Sequence, residues 1–259
     1  WSIMAINVGV TGSAGRVIGG GAGVYRNTQL KMYLDPFKYA AWTAETASTF
    51  LDISGWGNNM TLVNGARSRT DGWWSFDGTD DFGYRTDDSD FDYGTTIDFS
   101  IQMWYYNLGG NGSDFYLISK GKKSSAKGNP ATGFSLFWNT GTSELRLRMN
   151  ESTGINSPGN THNWAQAQWI NLAVVVDRSS DVKFYKNGVL ATTETGSTTA
   201  QNISNDRYIL IGGSQNTNST TGVLDDFNGY MGHILIYSTL LDEDEIRQNF
   251  NAHRGIYGV

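Results

Sequence analysis

Short apolar segments separated by turn residues recur along most of this chain, and they constrain its fold more than any other feature. From Leu30 onward they return about every ten residues, bounded by Gly, Asn, Asp and Ser. Phe99–Tyr106 alternates, with Phe99, Ile101, Met103 and Tyr105 on one face and polar residues or Trp104 on the other. About a dozen such strands predict an all-β fold, in which two antiparallel sheets pack as a jelly-roll sandwich.

Two consecutive segments predict how the middle of this sandwich is built. Ile170–Asp177 is almost continuously apolar, which is typical of a central strand covered on both faces. Val182–Lys186 and Val189–Thr192 flank Asn187 and Gly188, a pair that favours a type I′ turn. The sequence therefore predicts a central strand followed by a tight hairpin.

The end of the chain has a different pattern. His233–Tyr237 reads as a last strand, and the acidic residues Asp242–Glu245 follow it. Negative charge favours the start of a helix, and Ile246 and Phe250, four residues apart, supply one apolar face. We expect a short C-terminal helix that packs on the sandwich.

The first residues differ from the rest and divide the chain into two regions. Residues 1–28 are rich in glycine and small side chains and contain little that could form a core, whereas residues 29–259 carry the strand pattern. The first region is interpreted either as a flexible leader or as an arm that becomes ordered against a partner subunit. We favour the arm.

Composition excludes several classes of function. The chain of 259 residues has a formal net charge of −6, which argues against nucleic-acid binding. The basic cluster Lys120, Lys122, Lys123 and Lys127 is predicted to be a solvated loop. No apolar run is long enough to span a membrane, so no membrane insertion is expected. The chain has no cysteine, and its N-terminus lacks a signal-peptide pattern, which fits an intracellularly assembled particle or a trimmed mature chain.

Five segments of the chain carry motifs in a fixed order: Leu51–Asn59, Phe76–Phe82, Phe99–Trp104, Trp169–Asp177 and Phe184–Gly188. These motifs resemble those of laminin-G-like domains in the concanavalin A-type lectin/glucanase superfamily. The last strand and terminal helix match the family's ending as well. The resemblance extends from about Leu30 to Arg254, and it implies the two-sheet fold.

The ending Gln248–Gly255 is similar to copies of this domain in tailed-phage virion proteins. That similarity implies a virion surface or fibre protein, anchored to other virion subunits by its arm and able to bind host-surface glycans. It also implies a homo-oligomer, since fibres of this kind are often trimers. The alternative is a carbohydrate-binding or adhesin module of a secreted or cell-surface bacterial protein.

The sequence does not predict an enzyme. Glucanases of this superfamily resemble one another in a Glu-x-Asp-x-x-Glu strand, whose alternation places the acids on one face. No strand of this chain carries that spacing, and the dense run Asp242–Glu245 is explained by helix capping. None of His162, His233 and His253 is paired in sequence with a nucleophile.

A structural calcium site is expected if two acidic turns meet. Asp77, Asp80 and Asp81 lie in one glycine-containing turn, and Asp226 precedes the last strand. Their oxygens would suit Ca²⁺, with Asp77, Asp80 and Asp226 as the candidate ligands, although such residues are also common in turns without a metal. Relatives often place an aspartate early in the last strand, where this chain has Gly232.

Glycan binding is predicted from aromatic and amide side chains near strand ends. Sugars present C–H faces to aromatic rings and hydroxyls to amides. Trp138, Asn139, Trp164 and Tyr106 are the candidates, and the alternative for each is packing or subunit contact. Trp74, Trp104 and Trp169 are predicted to lie in the core.

Overall fold

The computed structural model describes residues 23–36, 48–68, 71–109, 114–121, 133–141, 143–150, 154–156, 164, 167–195, 202–215, 223 and 226–259. Residues 1–22 of the predicted arm, together with Lys122, Lys123, Lys127 and His162, lie outside these residues. The described elements are sixteen strands, one turn of 3-10 helix (Ser89–Phe91, between β6 and β7) and one C-terminal helix. In chain order the strands and the C-terminal helix are β1 (Leu30–Leu34), β2 (Thr49–Phe50), β3 (Met60–Val63), β4 (Arg67–Ser68), β5 (Trp74–Asp77), β6 (Phe82–Arg85), β7 (Phe99–Asn107), β8 (Phe115–Gly121), β9 (Gly133–Asn139), β10 (Glu144–Met149), β11 (Gly154–Asn156), β12 (Trp169–Val176), β13 (Asp181–Lys186), β14 (Val189–Thr195), β15 (Ile209–Ile211), β16 (Asn228–Tyr237) and α1 (Glu243–Tyr257).

The strands form two antiparallel sheets of eight strands each. The first sheet has the order β14-β13-β12-β7-β16-β5-β4, with β1 also paired to β16. The second has the order β11-β10-β9-β8-β15-β6-β3-β2. The predicted all-β sandwich with a C-terminal helix is confirmed.

Alternation along β7 builds the core between the sheets. Phe99, Ile101, Met103 and Tyr105 are buried in the core that both sheets share, as predicted. The intervening side chains face the outside of the first sheet, where Trp104 packs against α1. The outer face of the first sheet is therefore partly covered by the helix.

The predicted central strand and hairpin are also confirmed. Seven of the eight residues of β12 are buried, because the second sheet covers one face and α1 lies over part of the other. Asn187 and Gly188 have φ values of 52° and 76°, and this pair of positive values is what a type I′ turn requires.

Helix α1 begins and ends at well-formed caps. Asp242 accepts a hydrogen bond from the Glu245 amide, and the Glu245 side chain accepts one from the Asp242 amide, which forms a capping box. Ile246 and Phe250 are buried against the sheet, as their spacing predicted. Gly258 closes the helix in the left-handed region at φ 69°.

A buried polar network fixes α1 to the first sheet and to residues 23–25, which precede β1. The Asn249 amide nitrogen donates to Gln102 Oε1 (2.9 Å) and to Tyr237 Oη (3.1 Å). Its oxygen accepts from the Tyr25 backbone amide (2.6 Å), and the Gln248 side chain donates to the carbonyl of Gly23 (2.8 Å). The sequence analysis assigned residues 23–28 to the arm. Gly23 and Tyr25 of this segment are hydrogen-bonded to the helix.

The segment Leu51–Asn59 that carried one family motif has a structural role. The Asp52 carboxylate accepts hydrogen bonds from the backbone amides of Tyr33, Ser54 and Asn58, at 2.8 to 2.9 Å. Asp52 thereby fixes the loop between β2 and β3 to strand β1.

Lys120 corrects the prediction that its cluster is a solvated loop. Its side chain is fully buried, and its ammonium group contacts Asp87 Oδ1 (2.8 Å), Asp92 Oδ1 (2.9 Å) and the carbonyl of Asn205 (2.6 Å). A buried ammonium needs such partners, so this lysine ties β8 to two neighbouring loops.

No helix in the described part of the chain is both long and apolar enough to cross a membrane.

Candidate functional site

Four partly exposed aromatic side chains cluster on the outer face of the first sheet, and we call them the aromatic patch: Trp73, Tyr106, Trp169 and Tyr230. The ring centre of Trp73 lies 5.5 Å from that of Trp169 and 5.9 Å from that of Tyr230. Tyr106 lies 5.7 Å from Trp169 and 5.8 Å from Tyr230. These spacings are those of aromatic pairs in contact, so the four rings form one compact surface.

Strand register explains why these rings meet. Tyr106 of β7 is paired with Trp169 of β12 on one side and with Tyr230 of β16 on the other. Trp73 immediately precedes β5, whose Trp74 is in the core, so alternation turns Trp73 toward the outer face. Residues far apart in sequence are thus brought into one row by three antiparallel pairings.

The end of α1 supports the patch from one side. The Tyr257 ring lies 4.4 Å from the ring of Trp169 and 4.4 Å from that of Trp104. Trp104 is fully buried, whereas Trp169 keeps part of its surface in solvent. The patch therefore rests on a buried aromatic base while its own rings remain partly exposed.

Two of the predicted glycan-binding residues are buried instead. Trp138 is 9% exposed and stacks on Phe115 within the core. Trp164 is 1% exposed, and its carbonyl accepts a hydrogen bond from the Tyr105 hydroxyl (3.0 Å). The expectation that both rings are exposed is wrong, because both pack in the hydrophobic core between the two sheets.

The other two predicted residues are partly exposed but lie in different environments. Asn139 donates to Asp114 Oδ2 (3.1 Å), and this bond ties the start of β8 to the end of β9. Tyr106 belongs to the aromatic patch. The aromatic patch does not include Trp138, Asn139 or Trp164. The four predicted residues therefore do not form one site.

Sequence reasoning missed three members of the patch. Trp74 and Trp104 are in the core, as predicted, but the same prediction for Trp169 is wrong because its ring is partly exposed at the end of β12. The alternation of side chains along a strand could have identified Tyr230. It precedes Met231, which faces the core, so Tyr230 faces outward. Trp73 follows from Trp74 in the same way.

A second feature is a group of three carboxylates between β5 and β6, which we call the acidic turn: Asp77, Asp80 and Asp81. One carboxylate oxygen from each residue lies within 4.8 Å of the others. Asp81 is buried, and its two oxygens accept hydrogen bonds from the amides of Gly65 (2.5 Å) and Asp77 (3.0 Å). Burial raises the pKa of the Asp81 carboxyl, against the lowering effect of these two amides.

The acidic turn fits only part of the expected calcium site. Its carboxylate oxygens are the ligands that Ca²⁺ prefers, and Asp77 and Asp80 are exposed. Asp226 is not a member of the group, so Asp81 stands where the sequence predicted Asp226. A cation here would share Asp81 with the two backbone amides that already bind it.

The resemblance implied an aspartate in relatives at the position of Gly232, and the structure leaves no room for a side chain there unless Tyr257 moves. A Cβ atom at Gly232 would lie 2.1 Å from Tyr257 Oη and 2.9 Å from Trp104 Cβ. A bulge between Met231 and Ile234 brings this part of β16 against the helix end. The end of α1 occupies the space that such a side chain would need.

Two of the three histidines, His233 of β16 and His253 of α1, are buried between the helix and the sheet. Asp35, Tyr33 and Tyr257 lie beside them. His233 Nε2 lies 3.0 Å from Asp35 Oδ1, and its Nδ1 lies 2.7 Å from Tyr257 Oη. The His253 ring stacks on His233 at 3.6 Å, and its Nε2 lies 3.0 Å from Tyr33 Oη. Burial, and then the neighbouring His233, lower the pKa of His253 well below 6.5. These groups hold the helix on the sheet and are shielded from any substrate.

Comparison with known families and structures places this geometry in a wider context. A family model described as the concanavalin A-like lectin/glucanases superfamily matches residues 76–247. No curated protein sequence matches the chain at a comparable level of significance.

Solved structures of similar fold come from enzymes and toxins. Trypanosoma rangeli sialidase, in complex with a difluorinated KDN, is 13% identical with a TM-score of 0.60, and the match covers 89% of this chain and 33% of that one. The binding domain of botulinum neurotoxin DC, in complex with SialylT, is 18% identical with a TM-score of 0.59, covering 87% of this chain and 52% of that one.

The binding domain of Paraclostridial Mosquitocidal Protein 1 is 16% identical with a TM-score of 0.60, and the match covers 89% of this chain and 55% of that one. The chain thus spans about a third to a half of the length of these proteins. At these identities, the likeness establishes the lectin-like sandwich fold alone.

Proposed function

Because this chain belongs to the concanavalin A-like lectin/glucanase superfamily, we propose that it is a non-enzymatic glycan-binding module of a virion surface or fibre protein. The observation that carries glycan binding is the aromatic patch. Four large rings remain partly exposed although a helix and two sheets are available to bury them. Exposed apolar patches of contiguous side chains often mark binding surfaces.

The shape of the patch favours a short segment of a glycan. Trp73 contacts both Trp169 and Tyr230, so the rings form a compact group and do not extend as a long line. Partly exposed rings can stack on the C–H face of a sugar, while carboxylates and amides nearby accept or donate hydrogen bonds to its hydroxyls. One terminal sugar and its neighbour would suit such a surface.

The similar structures support this proposal at the level of the fold. The sialidase and neurotoxin structures contain a sialic-acid-type ligand and SialylT, respectively. The present chain spans only part of each, so their ligands and the sialidase activity are not carried over.

A non-enzymatic role is supported by where the reactive groups lie. His233 and His253 are buried under α1 and hydrogen-bonded to structural partners. Among the described strands, none carries the Glu-x-Asp-x-x-Glu spacing of a glucanase cleft. Turnover of an oligosaccharide by the purified chain would contradict this part of the proposal.

The virion part of the proposal rests on the glycine-rich arm and on the similarity of the C-terminal segment to phage proteins. The arm would bind other virion subunits, and the protein would be a homo-oligomer on the virion surface. Residues 23–25 are bound to α1, so the arm leaves the sandwich beside this helix. A segment without a core of its own can gain order by binding a partner.

Removing residues 1–22 tests the arm as the anchor. The truncated chain should fold with an unchanged melting temperature, because the contacts of Gly23 and Tyr25 with α1 remain. It should no longer be incorporated when it is co-expressed with the other virion components. Normal incorporation of the truncated chain would contradict the anchoring role.

A second candidate is a carbohydrate-binding or adhesin module of a secreted or cell-surface bacterial protein. The observation that favours it is that two of the similar structures are binding domains of other proteins, a botulinum neurotoxin and Paraclostridial Mosquitocidal Protein 1. The two candidates share the aromatic patch and differ in context. Electron microscopy of the source particle, with antibodies against this chain, would separate them.

We also propose that the acidic turn holds a structural calcium ion. Asp77, Asp80 and Asp81 would supply carboxylate ligands, and the two positive charges of calcium would offset most of the negative charge of this turn. The ion would stabilise the loop between β5 and β6.

A further inference from the structure

The strands that end the two sheets differ in length. Strands β4 and β2 have two residues each and β11 has three, whereas β14 has seven. Strand β1, which pairs with β16 beside the main strand order, is covered by the loop that follows β2. Leu34 forms a bridge with Asp52 there, and the Tyr33 carbonyl accepts a hydrogen bond from the Ile53 amide (2.9 Å). Short or covered edges protect a sheet against pairing with another chain. Among the described strands, β14 is therefore the one long strand that ends a sheet.

Strand β14 also lacks most of the side chains that keep an edge strand unpaired. It contains no lysine, arginine or proline, and its one acid is Glu194. Val189 is 68% exposed, the largest value among the described large hydrophobic side chains, and Leu190 is exposed as well. Within the described part of the chain, the backbone of β14 is hydrogen-bonded only to β13. The opposite edge of β14 therefore offers its backbone amides and carbonyls to another strand.

A bulge limits where another strand can pair with β14. The register with β13 shifts between Phe184 and Tyr185, so the pairing is irregular near the turn and regular from Thr192 to Thr195. In this regular part Thr193 and Thr195 are exposed and Glu194 is partly exposed. A partner strand would therefore align with Thr192–Thr195.

From these observations we propose that β14 pairs with β14 of a second copy of this chain, antiparallel and around a two-fold axis at Thr193. The inference rests on the proposed homo-oligomer and assigns its interface. The axis places Thr193 opposite its own copy, a favourable cross-strand pair, and Thr192 opposite Glu194 of the second copy. The two Glu194 carboxylates are therefore not opposite each other. Because the pairing uses the open edge of both copies, assembly stops at a dimer, not at the trimer that the resemblance implied.

Sedimentation velocity of the full chain over a range of concentrations tests the oligomeric state. We expect an equilibrium between monomer and dimer, with a dimer fraction that rises with protein concentration. Amide hydrogen exchange at the two ends of this range then locates the interface. The amides of Thr192–Thr195 should be more protected at high concentration, because the second strand would bind backbone groups on the open edge.

A matched pair of substitutions tests the residue assigned to the axis. Thr193→Glu places a carboxylate beside Lys183, its paired residue on β13, so the hairpin within one copy gains a favourable pair. Across the axis it places two carboxylates opposite each other, and the dissociation constant of the dimer should rise at least tenfold. Thr61→Glu is the control, because Thr61 is exposed on β3, which is paired on both sides, with β2 and β6. It should leave the dissociation constant unchanged.

The outcomes separate this interface from the proposed homo-oligomer. A trimer, or a dimer that Thr193→Glu does not weaken, overturns the interface and leaves the homo-oligomer in place. Protection of Thr192–Thr195 that does not change with concentration in a dimerising protein overturns the interface in the same way. A wild-type chain that stays monomeric at every concentration overturns both the interface and the proposed homo-oligomer.

Discussion

At the residue scale, the most constrained position is Gly232. Its missing side chain lets Tyr257 Oη approach β16, where it accepts a hydrogen bond from the His233 amide (3.0 Å). Burial raises the pKa of Tyr257 well above 10, so the hydroxyl stays protonated and can also donate. One glycine thus positions the end of α1, which in turn supports the aromatic patch.

Gly232→Ala tests this close approach. The added methyl group would displace the Tyr257 hydroxyl, and overpacking of this kind costs about 1–3 kcal/mol of stability. Gly255→Ala is the control, because Gly255 lies in the same helix as Tyr257 and a Cβ atom there meets no other atom within 4 Å. This variant should raise the free energy of unfolding by up to about 1 kcal/mol. Denaturant unfolding measures both. Equal stability of the two variants would contradict this account.

The buried histidine pair predicts how stability depends on pH. The pKa of His253 is well below 6.5 in the folded state, so the unfolded chain binds its proton more readily. The contribution of His253 is therefore fully present above about pH 6.5 and is lost as pH falls, at up to about 1.4 kcal/mol per pH unit. Denaturation between pH 7 and 4 measures this slope. His253→Gln should flatten it, and an unchanged slope would contradict the assignment.

At the element scale, strand alternation carried most of the predictive information. The pattern of Phe99–Tyr106, the central strand and the Asn187-Gly188 hairpin were predicted because each depends on local periodicity or turn geometry. Trp138 and Trp164 were placed wrongly because their burial depends on core contacts with residues distant in sequence, which local sequence does not reveal. The aromatic patch depends on pairings between β7, β12 and β16, which are equally non-local.

The acidic turn gives the prediction that belongs to this scale. If calcium binds there, a concentration about 100-fold above its dissociation constant stabilises the fold by about 2.7 kcal/mol. Calorimetric melting after EDTA treatment, with and without added calcium, measures the effect. Asp80→Asn should reduce it. Asp206→Asn should not, because that side chain is 81% exposed and lies just before β15 of the second sheet. An identical melting curve in calcium and EDTA would remove calcium from this turn.

At the scale of the whole molecule, α1 joins the features on which the proposals depend. Gln248 and Asn249 of the helix are hydrogen-bonded to Gly23 and Tyr25. The end of the helix supports the patch through Tyr257. The described end of the arm therefore contacts α1 near its middle, and the patch contacts its C-terminal end. In the proposed function, the anchor and the glycan surface would share this helix.

The most direct test of the central claim is glycan binding by a matched pair of tryptophan variants. Wild-type protein should bind a neutral oligosaccharide in calorimetry, and Trp73→Ala should weaken binding at least tenfold, about 1.4 kcal/mol. Trp56→Ala is the control, because this ring is 49% exposed on a separate loop, where Lys31 covers one face. It should bind like the wild type. Equal binding by all three proteins, or binding by none, would contradict the assignment of the aromatic patch as a glycan site.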